Sequence, residues 1–290
     1  MKIYDRNGQE IVCNQGQNDL LKLLYGNVLG RSVLKVLTLP FISQLGGMVM
    51  DSGLSKRVIS SFVESNHIDM SQYEDREFQS YNDFFTRKIL EGKRSIDKED
   101  NHLIAPCDSK VSYYKIDDHL KLKIKDTVYS LNDLLKDEEL VKKYERGDCL
   151  IFRLAVDDYH RYHFFDDGVM MAYKKIDGIF HTVNPLANDY YPIYKENTRA
   201  YSLMRTKNFG DVIYMEVGAM MVGRIVNHHV QSFLRGEEKG YFEFGGSTVV
   251  LLFEKGKIIV DDDIIEHSLN HDEVKVQLGE KIGVKLEKVC

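Results

Sequence analysis

Residues 239–254 read KGYFEFGGSTVVLLFE, the stretch that most constrains the fold. Aromatic and β-branched residues dominate both arms, which predicts two strands, 241–244 and 248–253, joined through Gly245-Gly246-Ser247. Two adjacent glycines weaken a strand, so they need a specific reason. One reason is a tight turn, for which Gly-Gly-Ser is common chemistry. The other is that Gly246 leaves its carbonyl open to attack by the hydroxyl of Ser247, the next residue.

The composition is that of an ordinary folded protein. The chain has 290 residues, of which 43% are hydrophobic and 29% charged. Its net charge of -6 argues against a nucleic-acid binder, whose surface is basic. Four scattered cysteines without CxxC spacing suit free thiols in a reducing compartment. No apolar run of about 18 residues and no signal peptide is present, so we expect neither a spanning helix nor export.

The N-terminal part predicts short amphipathic helices. Apolar residues recur at helical spacing between positions 20 and 63, with breaks expected at Pro40 and Gly46-Gly47. This range holds one acidic residue, Asp51, and five basic ones: Lys22, Arg31, Lys35, Lys56 and Arg57. A basic, apolar-striped region on an acidic protein fits an element lying on an anionic membrane surface. Packing against the protein's own body, or against a second copy, is the alternative.

Beyond residue 101 the pattern changes to strands separated by turns that carry Gly or Asp, with one obvious helix at 131–146. We therefore predict an α+β fold: a helical region at 1–100 and a mostly antiparallel, sandwich or barrel-like β domain at 101–290. The chain has no Rossmann or P-loop fingerprint.

Three clusters carry residues suited to chemistry. Asp108 lies in APCDSKV (105–111), where a turn-forming Asp is the plain reading. His160 and His163 are three residues apart, so a helix or turn would place them on one face, as proton carriers or metal ligands. Further metal ligands at suitable spacing are missing, so no metal is predicted. EVGAMMVGRI (216–225) has small residues in an apolar strand, a pattern that indicates either the close approach of another backbone or a ligand, or a β-bulge. An Asp, His and Ser in this order are compatible with a catalytic triad.

Six motifs in order resemble the phosphatidylserine decarboxylase family, and in particular its clostridial-type bacterial branch. These motifs are FFTRKI, APCDSKV, DYHRYHF, HTVNP, EVGAMMVGRI and KGYFEFGGSTVVLLF. The resemblance covers nearly the whole chain, and Gly245-Gly246-Ser247-Thr248 matches the family's cleavage motif without departure.

The resemblance implies autocatalytic cleavage between Gly246 and Ser247, giving a β chain (1–246) and an α chain (247–290) that stay together as a heterodimer and dimerise further. Asp108, His163 and Ser247 match the family's processing triad, and His160 matches the histidine assigned to decarboxylation. Ser247 would become a covalent pyruvoyl cofactor, whose carbonyl forms a Schiff base with the substrate amine and accepts the electron pair released with CO₂.

The same resemblance implies a lyase that converts phosphatidylserine to phosphatidylethanolamine on the cytoplasmic face of the cell membrane. Its partners would be the lipid and an anionic membrane surface, with no nucleic acid. Three alternatives stay open. One is a pyruvoyl decarboxylase of a soluble aromatic amino acid. Another is a Ser-His-Asp hydrolase, although no Gly-x-Ser-x-Gly elbow is present. The third is a β-rich binding module, which would leave six ordered motifs unexplained.

Overall fold

The structure is a computed structural model that describes residues 2–11, 40–124, 127–179, 193–218, 224–243 and 247–287. Its helices are α1 (Pro40–Asp51), α2 (Ile59–Ser65), α3 (Tyr81–Phe85), α4 (Leu131–Leu135), α5 (Glu138–Val141), α6 (Ile193–Glu196) and α7 (Asp262–Leu269). Short 3₁₀ helices lie at Gly53–Val58, Met70–Gln72 and Lys142–Tyr144. The first part of the predicted amphipathic region, 20–39, lies outside the described residues.

The strands of the N-terminal half are β1 (Ile3–Tyr4), β2 (Glu10–Ile11), β3 (His102–Ile104), β4 (Ser109–Lys115), β5 (Lys121–Ile124), β6 (Thr127–Ser130), β7 (Asp148–Leu154), β8 (Arg161–His163) and β9 (Gly168–Ile176). They continue with β10 (Arg199–Thr206), β11 (Gly210–Val217), β12 (Ile225–Asn227), β13 (Ser232–Phe233), β14 (Glu238–Phe242), β15 (Ser247–Phe253), β16 (Ile258–Val260), β17 (Glu273–Val276) and β18 (Lys281–Lys285).

Ten strands form one large sheet in the order β13-β9-β10-β11-β15-β7-β4-β17-β1-β2. Its pairings are antiparallel except for that of β1 with β17. Two three-stranded sheets, β12-β14-β8 and β16-β18-β3, and the pair β5-β6 complete the strands that the structure describes. The predicted α+β class with mostly antiparallel pairing is confirmed. The large sheet is open, with β13 and β2 at its ends, and does not close into a barrel.

Both faces of the large sheet are buried, which explains the unbroken apolar run of β15. Val249 and Leu251 belong to one core cluster, and Val250 and Leu252 to another, because successive side chains of a strand point to opposite faces. The first cluster includes residues of β14, β16, β18 and α7, and the second includes residues of α4 and α5. Each such side chain contributes about 1.5–3 kcal/mol relative to exposure.

Strands β14 and β15 lie in different sheets, so the glycines between them do not close a hairpin. The turn interpretation of residues 245–247 is not tested, because Gly245 and Gly246 lie outside the described residues. The expected break at Gly46-Gly47 is wrong, because α1 continues through both glycines. Glycine in a helix costs only about 1 kcal/mol, which neighbouring residues can offset.

The helix expected at 131–146 divides into α4, α5 and a 3₁₀ turn. Ser130 accepts a hydrogen bond from the backbone of Asn132, and Asp137 accepts one from Leu140, so each begins a separate helix. Lys136, between them, has a left-handed conformation with φ of 52°. This local capping chemistry divides a segment whose apolar spacing alone suggested one helix.

Candidate active site

One end of the large sheet collects the residues that the sequence singled out. In the antiparallel order, β4 and β15 begin where β7 ends: Lys110 is paired with Arg153, and Ser247 with Leu154. Asp108 directly precedes β4, and the segment that carries His160 directly follows β7. The sheet thereby brings together parts of the chain that are up to 139 positions apart, Asp108 and Ser247.

A second sheet adds the histidine motif to this end. β14 pairs with β8, with Tyr241 opposite Arg161, and the backbone N–H of Phe242 donates a 2.9 Å hydrogen bond to the carbonyl of His160. The strand that precedes the Gly246-Ser247 bond therefore runs beside the two histidines. Because His163 lies in β8 and His160 just before it, the helical or turn geometry expected for this pair is wrong.

Asp108 is fixed by an arginine from the preceding segment. Arg94 Nε donates hydrogen bonds of 2.9 and 3.1 Å to the two carboxylate oxygens of Asp108, and the backbone N–H of Leu278 donates one of 2.8 Å. Both side chains of this ion pair are about nine-tenths buried. No hydrogen bond joins Asp108 to His163; the link between their segments is that from the His163 backbone N–H to the Pro106 carbonyl, 2.8 Å.

His160 is fully buried and held in one tautomer. Its Nδ1 lies 3.0 Å from the backbone carbonyl of Asp158, and a carbonyl only accepts, so Nδ1 carries the proton. The buried Nε2 has no hydrogen-bond partner and presents a lone pair. Burial lowers the pKa of His160 from 6.5 to about 3. The ring is therefore neutral near pH 7, the form that can accept a proton.

His163 is the second neutral imidazole. Burial lowers its pKa from 6.5 to about 4, while the charges of Glu238 and Asp108 oppose this shift by favouring the protonated ring. Its Nδ1 is buried and has no hydrogen-bond partner. The Asp108 carboxylate is thus near enough to favour the protonated form of His163 electrostatically, without a hydrogen bond to its ring.

Ser247 begins β15 as a fully buried residue whose hydroxyl has no hydrogen-bond partner. Such hydroxyls are uncommon, because an unpaired buried polar group costs about 1–3 kcal/mol. Ser247 can therefore exchange its hydroxyl for another group without losing a hydrogen bond. It stands at the start of a strand and not at a strand-to-helix elbow, so it lacks the nucleophile elbow of the α/β-hydrolases.

The structure adds residues to the site that the sequence reasoning left without a role. Arg94 begins a charged stretch, 94–101, whose composition predicts a loop. Its position at the boundary between this stretch and the apolar residues before it was the one sign of a structural role. Lys110 and Asp158 form a buried ion pair beside Asp108 and His160. Two signs of this pair are visible in the sequence: Lys110 is a charged residue inside a predicted strand, and Asp158 is an acidic residue just after another predicted strand. Among the described residues, no cluster of three or more His, Cys, Asp or Glu side chains is arranged for a metal ion.

Comparison with known proteins gives one consistent result. The family model for phosphatidylserine decarboxylase matches residues 81–284. The chain is 50% identical to phosphatidylserine decarboxylase proenzyme 2 of Clostridium acetobutylicum over 97% of both chains. It is 43% identical to the phosphatidylserine decarboxylase proenzyme of Clostridium novyi, over 98% of this chain and 97% of that one. It is 42% identical to the corresponding proenzyme of Fusobacterium nucleatum, over 91% and 90%. On these matches, the chain belongs to the phosphatidylserine decarboxylase family.

Proposed function

We propose that this chain is a carboxy-lyase that converts phosphatidylserine to phosphatidylethanolamine and CO₂ after cutting itself between Gly246 and Ser247. The observation that carries the proposal is the buried, unpartnered hydroxyl of Ser247 at the sheet end that also holds Asp108 and the segment of the two histidines. Family membership supplies the reaction class, and this arrangement supports the assignment of roles to individual residues.

Self-cutting is the first reaction of the chain. The Ser247 hydroxyl attacks the Gly246 carbonyl while a neutral histidine, His163, takes its proton and Asp108 stabilises the resulting imidazolium. The peptide bond becomes an ester. Elimination then releases the Gly246 carboxylate and leaves dehydroalanine at position 247. Water hydrolyses the tautomeric imine to ammonia and a pyruvoyl group at the new N-terminus.

The residues at this sheet end fit such a group, because the Ser247 oxygen is lost from a position where it makes no hydrogen bond. The pyruvoyl carbonyl supplies an electron sink for the bond that breaks when CO₂ leaves. His160 holds a lone pair on Nε2, which can take up a proton and deliver it to the former α-carbon of the substrate. Burial of His160 and Ser247 keeps water away from this chemistry.

The N-terminal region, residues 1–100, is proposed to attach the enzyme to the cytoplasmic face of the cell membrane. Four apolar side chains at the end of α1 and in the 3₁₀ helix after it are exposed by 45–71%: Met48, Val49, Leu54 and Val58. Arg57 lies among them and adds an exposed positive charge toward anionic lipid, whereas the neighbouring Lys56 pairs with Glu77. No helix within the described residues is long and apolar enough to cross a bilayer. These observations support attachment to an anionic membrane surface.

The two products of cutting are proposed to remain one protein. Strand β15, from the 247–290 piece, lies between β11 and β7, both from the 1–246 piece. Strand β17 of the same small piece lies between β4 and β1. The α and β chains would therefore stay paired as a heterodimer, and we expect this unit to dimerise further, as the family resemblance implies.

Intact mass and decarboxylation together test the proposal. Wild-type protein should give two species, 1–246 and 247–290 with a blocked N-terminus, and release CO₂ from phosphatidylserine in vesicles. Ser247→Ala should stay one chain of 33.6 kDa and be inactive. Ser202→Ala is the matched control, because Ser202 also has a buried, unpartnered hydroxyl but lies in β10; it should be cut normally. Two fragments from Ser247→Ala would refute the role of Ser247, and CO₂ from a soluble aromatic amino acid alone would refute the lipid substrate.

A further inference from the structure

Within the part of the chain that the structure describes, no carboxylate pairs with Arg87, a buried cation in the FFTRKI motif. It is 0% exposed and follows α3, the helix that Ser80 caps by accepting a hydrogen bond from Asp83. The motif that contains Arg87 is one of the six that match the family. A charge removed from water needs compensation, so the surroundings of Arg87 bear on what it binds.

The other buried cations of the described residues are all compensated. Four pair with a carboxylate: Lys110 with Asp158, Arg153 with Glu273, Arg161 with Glu238, and Lys239 with Glu216. The fifth, Arg199, donates four hydrogen bonds of 2.8–3.0 Å to backbone carbonyls. Arg87 has no carboxylate partner among the described residues, and its contacts with backbone carbonyls are longer and fewer than those of Arg199.

The contacts of Arg87 are long and few. Its nearest acceptors are the Phe84 carbonyl at 3.5 Å, and the Tyr73 hydroxyl and the Asp157 carbonyl at 3.4 Å. Its Nε is buried and has no hydrogen-bond partner. The guanidinium lies over the rings of Tyr73 and Phe84, 4.3 and 4.8 Å from their centroids. Two aromatic faces hold the plane of the group in place, but a forked set of N–H donors is left without an anion.

Arg87 also borders the candidate active site. The Asp157 carbonyl that it contacts is three residues before His160, and Phe85 lies against the His160 ring with a centroid distance of 4.0 Å. The charge of Arg87 is among the influences that lower the pKa of His160. An anion bound at Arg87 would therefore belong to a molecule that reaches the proton-transfer group.

We propose that Arg87 binds the phosphodiester of the phospholipid headgroup, an inference that rests on the proposed function. The substrate has two anionic groups, the carboxylate and the phosphodiester. A cation held on the carboxylate would stabilise the substrate more than the transition state, in which that charge is leaving. The phosphodiester keeps its charge throughout the reaction and matches the forked donors of a guanidinium. Since Arg87, His160 and Ser247 are all buried in the uncut chain, the binding applies to the processed enzyme.

Competitive inhibition of the processed enzyme by two soluble amines separates the two anionic groups. Glycerophosphoethanolamine has the phosphodiester and no carboxylate, whereas L-serine has the carboxylate and no phosphate. In Arg87→Met, inhibition by glycerophosphoethanolamine should weaken about tenfold to a hundredfold, the range of a lost charge-assisted hydrogen bond. Inhibition by L-serine should stay the same. Arg76→Met is the matched control, because Arg76 also lies over an aromatic ring, that of Phe78, but pairs with Asp83 at the surface.

Each other outcome counts against the proposal in a specific way. Weaker inhibition by L-serine alone would assign Arg87 to the carboxylate. Unchanged inhibition by both amines would leave Arg87 a packing residue. If Arg87→Met does not fold or cut itself, Arg87→Lys is measured in the same assay, and unchanged glycerophosphoethanolamine inhibition there would likewise refute the proposal. Failure of the proposed function would appear separately, as processed wild-type enzyme that releases no CO₂ from phosphatidylserine.

Discussion

Lys110 donates hydrogen bonds of 2.8 and 2.7 Å to the two carboxylate oxygens of Asp158, and both residues are buried. Asp158 in turn accepts a 2.7 Å hydrogen bond from the backbone of Ala155, and its own carbonyl holds Nδ1 of His160. Lys110 stands two residues after Asp108 in the chain. This one ion pair therefore ties the strand behind Asp108 to the segment that fixes the tautomer of His160.

Replacing one partner of the Lys110–Asp158 pair should destabilise the protein more than replacing both partners. In the uncut Ser247→Ala protein, Asp158→Asn leaves the buried Lys110 ammonium with only the partly exposed carboxylate of Asp157, 3.8 Å away, and should lower the free energy of unfolding by about 3 kcal/mol. Lys110→Met combined with Asp158→Asn should recover a large part of this loss, since Asn can still accept from Ala155. Urea unfolding of the single and double variants measures both effects. A double variant no more stable than Asp158→Asn would contradict this account.

Arg94 should matter for self-cutting, because it fixes the Asp108 carboxylate. We expect Arg94→Met to slow the appearance of the 1–246 and 247–290 pieces at least tenfold, the effect of about 1.4 kcal/mol. Time-resolved intact mass of freshly refolded protein measures the rate. Arg76→Met removes a comparable ion pair, with Asp83, from a more exposed position and should leave the rate unchanged.

The two histidines should separate the two reactions. His163→Ala should remain uncut, because the serine proton then has no acceptor backed by Asp108. His160→Ala should still cut itself and then release CO₂ from phosphatidylserine at least a hundredfold more slowly, within the range for loss of a general acid. Intact mass followed by a CO₂ assay measures both steps. An uncut His160→Ala protein would move His160, with its free Nε2 lone pair, into the processing reaction.

Acid should destabilise the protein through these same histidines. Their pKa values are about 3 for His160 and about 4 for His163 in the folded chain, below the ordinary value of 6.5. Between the folded-state pKa values and 6.5, the unfolded chain therefore binds more protons than the folded chain does. The stability contributed by the two neutral histidines is complete above pH 6.5 and is lost as the pH drops toward 4. Replacing His160 with Gln should reduce this slope by about 1.4 kcal/mol per pH unit.

Urea unfolding of Ser247→Ala with and without His160→Gln, at several pH values in this window, measures that slope. His119→Gln is the control, because the His119 side chain is 79% exposed and should not alter the slope. Equal slopes with and without His160 would show that its ring is protonated in the folded chain.

The apolar surface after α1 should be needed for lipid contact. Leu54→Glu combined with Met48→Glu should weaken co-sedimentation with anionic vesicles at least tenfold, because insertion of each side chain contributes about 1.5–3 kcal/mol. Self-cutting should be unaffected. Leu269→Glu in α7 alters a side chain that is 76% exposed, comparable with the 71% of Leu54, and should leave binding intact. Equal binding by all variants would place membrane contact elsewhere.

The sequence predicted the fold class because that class depends on local patterns, whereas the roles of the site residues rest on the family resemblance and stay predictions. Apolar runs such as 248–253 identify strands, and Asp108, the two histidines and Ser247 lie directly beside such runs. The sequence pattern does not single out strand β10, RAYSLMRT, because the strand begins with a charged residue, Arg199. The buried charge of Arg199 is satisfied by backbone carbonyls of distant residues. Propensity offers no sign of such compensation.

The ion pairs that support the site could not be predicted from the sequence, because they too join residues that are distant in the chain. Lys110 and Asp158 are 48 positions apart and meet only because β4 and β7 pair in one register. The placement of β14 and β15 in separate sheets likewise depends on the partners of each strand, β8 in one case and β7 and β11 in the other. Residues 181–185 and 219–223, which carry two of the six motifs, lie outside the described residues, so their roles stay predictions.

The separation of β14 and β15 has a consequence for how such a protein tolerates an internal break. Strand β14 keeps its neighbours β12 and β8, and β15 keeps β11 and β7, whether or not the backbone between them is continuous. A cut inside a hairpin would leave two strands that are held together only by their own pairing. A cut between two sheets removes only the covalent connection between them. Under the proposed function, a cut between Gly246 and Ser247 would therefore leave all of these strand pairings in place.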